Sequence, residues 1–414
     1  MNKKITVLVI NQFASLPKYS YGAGERMFHL SEFLYKEGFN VQVVSGAFNH
    51  LFKEYPATPK LFNVEQTKYL DFIWVRLKRY KSNNFIGRVY SWFEFLFKLF
   101  LFPIGKGPEI VVVSSMSIMP IIYALWVKRK YKSKFVLEIR DIWPLTPIEI
   151  GGYSKNNPLM IFLRQIELLA YRNADHIISV LPGFRKYLNE NNFDSKLCTW
   201  IPNGVSSAIN LSNNDNELRK FLNEKKFNVL YAGTFGKANA LESLIDAARL
   251  LEEEYMDIHI TLIGDGPLEH ELKEMSKELS NVSFIGKVLK SELGAILTEA
   301  DVCYIGWHDR RIYNYGVSAN KYNDYMLAKK PILSSSNIEN DPATLSNGGI
   351  QVMANDPRAI AAGIVQLYAM NEEERTQYGL NGYNFVTESQ VYPVLADKYI
   401  TVFNQVLGKY KTNS

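Results

Sequence analysis

The sequence predicts an α/β protein made of two successive parallel-sheet units, and three observations lead there. Short apolar runs recur along the 414-residue chain at Ile5–Ile10, Val41–Val44, Ile110–Val113, Phe135–Ile139, His176–Val180 and Leu197–Ile201, then again at Asn228–Ala232, Ile258–Ile263, Val282–Ile285 and Val302–Ile305. Stretches with helical apolar spacing separate most of them, the alternation of a sheet covered by helices. The series is interrupted by the polar, Asn/Ser-rich stretch 206–216, where the domain boundary is expected. The length exceeds one ordinary α/β core and bounds the chain at about two to three domains.

Composition narrows the classes. A net charge of +5 does not argue for nucleic acid. The two cysteines, Cys198 and Cys303, lie in apolar runs and read as buried hydrophobes, and the six histidines show no HxxxH or HExxH spacing. MNKKITVLVIN has too short an apolar run for a signal peptide and reads as the first strand of a cytoplasmic protein. No stretch approaches the roughly 18 apolar residues of a membrane span.

In the first half, the strand Ile5–Ile10 is followed by a small-residue loop with Gly22, Ala23 and Gly24. It opens a helix with Met27, Leu30, Phe33 and Leu34 on one side, closed by Gly38. The G-x-G-x-x-G dinucleotide fingerprint is absent. Glu25 reads either as a group meeting a hydroxyl or cation at this loop, or as a first-turn acid on a helix. The segment Lys78–Lys106 carries Phe85, Ile86, Val89, Trp92, Phe93, Leu96, Phe97, Phe100 and Leu101 at helical spacing, with Phe95, Leu99 and Phe102 on other faces. Its basic residues face a single acid, Glu94. That pattern suits the surface of an anionic bilayer, or a core helix. A second basic run, Lys128–Lys134, adds to the first. Helices are expected near Pro120–Lys130 and over Pro158–Arg172. Arg140 and Asp141 stand where a strand ends, as a structural ion pair or part of a site. Pro202-Asn203-Gly204 is a turn.

In the second half, Gly233–Lys237 follows a strand and leads to a helix over Leu241–Glu253. Gly264-Asp265-Gly266 reads as a nucleotide loop or a tight turn before a helix over Leu268–Leu279. Gly286-Lys287-Val288 ends another strand, and its backbone groups suit a base edge. A helix over Ser291–Glu299 leads to the stretch Asp301–Ser334, which reads strand, loop, helix, strand. Its helix is expected to begin near Asn320–Lys321 and to carry Asp324 in its first turn. A helix N-terminus with Lys321 suits a diphosphate, and a carboxylate one turn in suits ribose hydroxyls. The plain alternative is a capped helix with a favourable acid. A short strand near Ile350–Val352 and helices over Pro357–Met370, Glu372–Glu388 and Tyr392–Val406 complete the chain.

The motifs YGAGER, IPNG, YAGTFGKANALESLI, LIGDGPLEHELK, VSFIGKV and GVSANKYNDYMLAKKP occur in the order seen in the large bacterial glycosyltransferase family four, and the chain resembles that family over nearly its whole length. EIRDIWPLTPIEIGG and SANKYNDYMLAKKP resemble its branch of N-acetyl-fucosamine transferases of surface-polysaccharide assembly. The resemblance implies the GT-B fold, two Rossmann-like domains facing a central cleft, with the last helix crossing back to the first domain. The N-terminal acceptor domain would be 1–205 plus helix 390–414, and the nucleotide-sugar domain 206–389.

The activity implied is retaining, metal-independent transfer without a cofactor, and no Asp-x-Asp pair occurs in the chain. The sugar, an N-acetylated deoxyhexose such as N-acetyl-fucosamine, would pass from a UDP-sugar to a polyprenyl-diphosphate-linked saccharide in O-antigen or capsule assembly. This would happen on the inner face of the plasma membrane, with the segment 78–106 on an anionic lipid surface. Gly233, Thr234, Lys237, Gly286, Lys287, Val288, Ser318, Asn320, Lys321 and Asp324 would hold the donor, with Asn203 and Gly204 facing it. Gly22, Ala23 and Gly24 would lie on the acceptor side, and Glu25, Arg140 and Asp141 near the reacting carbon. Four departures from the family pattern stand out: Gly316 in place of its first Glu, Thr234 in place of an Arg, Asn239 in place of a Lys, and Arg140-Asp141 in place of a His–Asp pair. A non-hydrolysing UDP-sugar 2-epimerase and a non-catalytic scaffold that has kept the fold are the rival readings.

Overall fold

The computed structural model describes residues 4–20, 22, 24–49, 52–81, 85–115, 117–206, 222 and 226–409. Ala23 and the segment 207–216 lie outside the described residues. The chain forms two compact units. One runs through Gly204 and takes up the chain again from Tyr392, and the other is Val205–Val391.

The first unit contains β1 (Ile5–Ile10), α1 (Arg26–Lys36), β2 (Phe39–Gly46), β3 (Phe62–Gln66), β4 (Leu70–Val75), α2 (Phe85–Phe100) and β5 (Ile110–Ser115). It continues with α3 (Pro120–Tyr131), β6 (Lys134–Ile139), α4 (Leu145–Glu149), α5 (Pro158–Asn173), β7 (His176–Ser179), α6 (Phe184–Glu190) and β8 (Cys198–Trp200). The strands lie in the order β3-β4-β2-β1-β5-β6-β7-β8, with β3 antiparallel to β4 and the other pairs parallel. Strands covered on both faces must be apolar on both, and β5, IVVVSS, is buried along its whole length. The β3–β4 hairpin is absent from the sequence reading. β3 is an edge strand with no buried residue, so it leaves no apolar run to read.

The second unit contains β9 (Phe227–Ala232), α7 (Leu241–Leu251), β10 (Ile258–Ile263), α8 (Glu269–Met275), β11 (Val282–Ile285), α9 (Lys290–Glu299) and β12 (Val302–Gly306). It ends with α10 (Asn320–Leu327), β13 (Ile332–Ser335), α11 (Pro342–Leu345), β14 (Gly349–Val352), α12 (Pro357–Ala369) and α13 (Glu372–Ser389). All six strands are parallel, in the order β11-β10-β9-β12-β13-β14. α8 is shorter than the expected helix over Leu268–Leu279.

The last helix, α14 (Tyr392–Val406), belongs to the first unit, where it packs on α1. Leu395, Tyr399, Val402 and Phe403 enter the same core as Leu30, Leu34 and Phe39. Arg26, fully enclosed, ties three parts of this unit together. It donates to the carbonyls of Ile201 (2.9 Å) and Pro202 (2.5 Å) after β8 and to the Tyr399 hydroxyl (3.1 Å), and it pairs with Glu138 of β6 at 3.0 Å. In each unit the first strand is central, and the chain leaves it to opposite sides. This puts a crevice at the carboxyl ends between β1 and β5, and another between β9 and β12. Among the described residues no helix is long and apolar enough to cross a membrane.

Candidate functional site

The carboxyl end of β9 carries Gly233, beside the β9–β12 switch point. Gly233 sits at φ 152° and Gly264, after β10, at φ 139°. A side chain on Gly264 would collide with the Gly233 carbonyl, and one on Gly233 would collide with the Lys321 side chain. The two glycine loops therefore pack backbone to backbone, and the Phe235 amide donates to the Asp265 carbonyl at 2.7 Å. Gly264-Asp265-Gly266 is packed against the first loop.

Lys321, on the first turn of α10, reaches under that loop. Its Nζ donates to the Tyr231 hydroxyl at 2.7 Å and to Asn239 Oδ1 at 2.5 Å. The Tyr231 hydroxyl and Asn239 Nδ2 each donate to the Thr234 carbonyl at 2.8 Å. The bond pattern needs a protonated phenol, and burial pushes the Tyr231 phenol far upward. Burial also pulls the Lys321 ammonium down to about 7.

α10 is held in place by two tyrosines. The Tyr325 hydroxyl accepts from the Ala232 amide at the tip of β9 at 2.9 Å. The Tyr322 hydroxyl donates to Asp341 at 2.9 Å, and the same carboxylate accepts from Ser334 (2.6 Å), Ser336 (2.7 Å) and the Ala343 amide (2.9 Å). Asp341 is fully buried and fully used, the condition under which a buried carboxylate is tolerated. The Trp307 indole, on the loop after β12, donates to the Tyr322 hydroxyl at 3.1 Å.

The expected donor residues fall at this edge in unequal ways. Gly233, Thr234 and Lys321 meet directly. Lys237 is exposed on the short turn that carries Asn239. Ser318 and Asn320 flank the start of α10, while Gly286, Lys287 and Val288 follow β11, two strands from β9. Asp324 lies in the second turn of α10, not the first, because the helix begins at Asn320. Tyr231 and Asn239 were missed. Tyr231 reads as core because it lies in an apolar strand, and Asn239 reads as a lost lysine, whereas its amide oxygen accepts from Lys321.

In the first unit, Glu25 is largely occupied by its own loop. It accepts from the Gly22 amide at 2.9 Å and from the Ser20 hydroxyl, and lies 3.3 Å from His29 Nε2. Burial raises its pKa, but the bonds from His29 and Ser20 outweigh this and leave it lowered. Gly24 packs on the Phe13 carbonyl. Arg140 donates to Asn203 Oδ1 at 3.1 Å, tying the end of β6 to the turn after β8. Asp141 is raised by burial, with Arg140 acting against this, and lines a cavity of about 10 Å³ with Ser115, Trp143, Glu167 and Tyr171. Tyr392, at the start of α14, was missed entirely. His29 stacks on it at 4.6 Å, a side chain on Gly204 would meet its ring at 2.6 Å, and Glu25 and Arg140 both act on its phenol. Nothing local in the sequence marks it, because the contacts come from three distant segments.

Two family models match. The one described as Glycosyltransferase Family 4 takes in residues 21–208, and the one described as Glycosyl transferases group 1 takes in residues 226–370. The probable glycosyltransferase WbjE of Pseudomonas aeruginosa is 22% identical over 206 residues, 49% of this chain and 50% of that protein, so the match spans about half the length of that curated relative. Solved structures share the fold. Sucrose-phosphate synthase from Thermosynechococcus elongatus has a TM-score of 0.73 at 15% identity, covering 98% of this chain and 100% of its own. Anabaena HepE in complex with UDP and glucose has a TM-score of 0.65 at 14% identity, with 97% and 100% covered. WaaG, a glycosyltransferase involved in lipopolysaccharide biosynthesis, has a TM-score of 0.64 at 12% identity, with 97% and 100% covered. Between them the two family models take in most of the chain, each on its own parallel-sheet unit, and the protein belongs to the group 1, family-four glycosyltransferases of the GT-B fold.

Proposed function

We propose that this protein is a retaining glycosyltransferase that needs no metal and moves a sugar from a UDP-sugar to a polyprenyl-diphosphate-linked saccharide. The observation that carries the reading is the Lys321 amine beneath the Gly233 loop at the switch point of the second unit. Backbone amides at a glycine turn, the start of α10 and a lysine together suit a diphosphate. The charge that develops on the leaving diphosphate would be met there without rearrangement. Asp324 holds the ribose, Gly286, Lys287 and Val288 face the base, and Lys237, Ser318 and Asn320 complete the donor side. The first unit takes the acceptor, with Gly22 and Gly24 beside it and Glu25, Arg140, Asp141, Asn203 and Gly204 near the reacting groups. The UDP and glucose held by HepE favour a UDP-sugar as donor. An N-acetylated deoxyhexose such as N-acetyl-fucosamine rests on the resemblance of EIRDIWPLTPIEIGG and SANKYNDYMLAKKP. The likeness to WaaG, a glycosyltransferase involved in lipopolysaccharide biosynthesis, favours O-antigen over capsule assembly.

The protein also docks on the inner, anionic membrane surface through α2. One side of α2 is core, with Trp92, Phe95 and Leu99 buried, and the other exposes Ile86, Tyr90, Phe93 and Phe97. α5 extends that apolar side with Ile161 and Phe162, the latter stacked on Phe93 at 6.3 Å. Arg79, Lys81, Lys106 and Lys130, all exposed, lie in and near these segments of the chain and suit an anionic surface.

The test mixes purified protein, a panel of UDP-sugars and a lipid-diphosphate saccharide, and reads released UDP together with labelled lipid. Transfer that needs the acceptor supports the reading. Conversion of the UDP-sugar without acceptor points to an epimerase, and no turnover in membrane extract with any donor points to a scaffold. Asp324→Ala should weaken UDP binding about tenfold or more, the worth of hydrogen bonds to a charged group, and unchanged affinity would remove Asp324 from the site.

A further inference from the structure

We infer that the protein binds the diphosphate of its nucleotide together with a proton, which Lys321 takes up, and that Tyr231 and Asn239 are the positioning residues of this proton-coupled clamp. The inference rests on the donor-site reading above and adds how the charge is managed.

The geometry around the amine sets the argument. Both acceptors that hold Nζ are uncharged. The Tyr231 hydroxyl gives its own proton to the Thr234 carbonyl, so toward Lys321 it acts as an acceptor. Asn239 gives its Nδ2 to the same carbonyl, which turns its Oδ1 toward the amine. The Tyr231 ring adds its face, 4.5 Å from Nζ.

The elements packed around Lys321 carry titratable and charged groups. Among the described residues they include Tyr231 on β9, Tyr304 on β12, Glu242, Asp246 and Arg249 on α7, Lys237 and Asp265 on the two loops, and Tyr322, Asp324 and Tyr325 on α10 itself; α13, packed on α10, adds its own acids and Arg375, and none of these shifts Lys321. Glu242 acts on Tyr304. Burial is the sole influence that moves Lys321 from its ordinary range, and it moves it to about 7. A charged amine here lacks the carboxylate that usually accompanies a buried ammonium, and a bound diphosphate supplies that charge.

The sign follows from linkage. Below about pH 7 the amine of the empty protein is already charged, and an anion binds without proton uptake. Above it the amine is neutral until the anion arrives and restores the higher affinity for a proton. The contribution of Lys321 to UDP affinity is therefore constant below about 7 and falls as pH rises above it, by up to about tenfold per pH unit, and each UDP bound there brings up to about one proton to the amine.

Titration calorimetry of the full-length protein with UDP at about pH 8, in two non-phosphate buffers of different ionisation enthalpy, reads that proton directly. At that pH the phosphates of UDP are already fully ionised, so their own titration adds nothing. Close to one proton per UDP is expected. Asn239→Asp places a carboxylate on the amine, keeps Lys321 charged in the empty protein, and should abolish both the uptake and the fall in affinity above pH 7. A merely structural role for Asn239 would weaken UDP equally at every pH and leave the proton count unchanged, which would overturn the assignment of Asn239. UDP binding by the native protein with no proton taken up would overturn the inference while leaving the donor site standing. Absence of UDP binding at any pH from 6 to 9 would remove both.

Discussion

Arg26 shows how much one side chain can decide. It follows Glu25, the residue that draws attention in the sequence, yet it makes the more extensive contacts. Its guanidinium is enclosed with Glu138, which is itself fully buried in β6. Replacing it with Met leaves that carboxylate with only the more distant Arg140, 3.9 Å away, and breaking a buried pair in this way costs about 3–5 kcal/mol. The loss is measurable as a lower urea midpoint by circular dichroism. The restoring change is Arg26→Met with Glu138→Leu, which should recover most of the loss because no uncompensated charge remains. Gly264 is decisive for a different reason. At φ 139° with the Gly233 carbonyl against it, it has no room for a methyl group. Gly264→Ala should cost about 1–3 kcal/mol and displace the loop above Lys321, seen as lost UDP affinity.

Among the elements, α2 carries two apolar sides, one buried and one exposed. Trp92 is core, edge-on to Trp143 at 5.3 Å, so Trp92→Ala should destabilise by about 3–5 kcal/mol. Phe97 is 66% exposed, so Phe97→Ser should change stability by less than about 0.5 kcal/mol. The same substitution should sharply reduce sedimentation with vesicles containing anionic phospholipid, and unchanged sedimentation would remove α2 from the membrane reading. α10 is the element most dependent on tertiary support. It has eight residues, too few to stand alone, and its N-terminus is held by Tyr322 and Tyr325 rather than by a side-chain cap. Element boundaries were legible where burial is two-sided, as in β10 and β12. They were not legible where burial is one-sided or absent, as at β3, or where an apolar end residue suggested more helix than forms, as at α8.

At the scale of the whole molecule, the chain order and the unit order differ. α14 comes last in sequence but completes the core of the first unit. Phe403 packs on Phe39 at 5.4 Å, and Phe403→Ala should destabilise that unit by about 3–5 kcal/mol. Five of the six tryptophans, all but Trp307, belong to the first unit, so intrinsic fluorescence reports its unfolding. An earlier fluorescence transition with unchanged UDP affinity is the expected result.

The doubled α/β pattern, the glycine turns at the strand ends and the helix start at Asn320 were determined by the sequence itself. They depend on local rules: two-sided burial demands continuous apolar runs, and tight turns demand glycine. The assembly of the cluster around Lys321 was decided only by tertiary structure. Lys321 and Asn239 are 82 positions apart, and β9, two glycine loops and α10 must come to one sheet edge before that amine has its partners. No spacing rule encodes a contact made by folding distant segments together, and the same reason hid Arg26, Tyr231 and Tyr392.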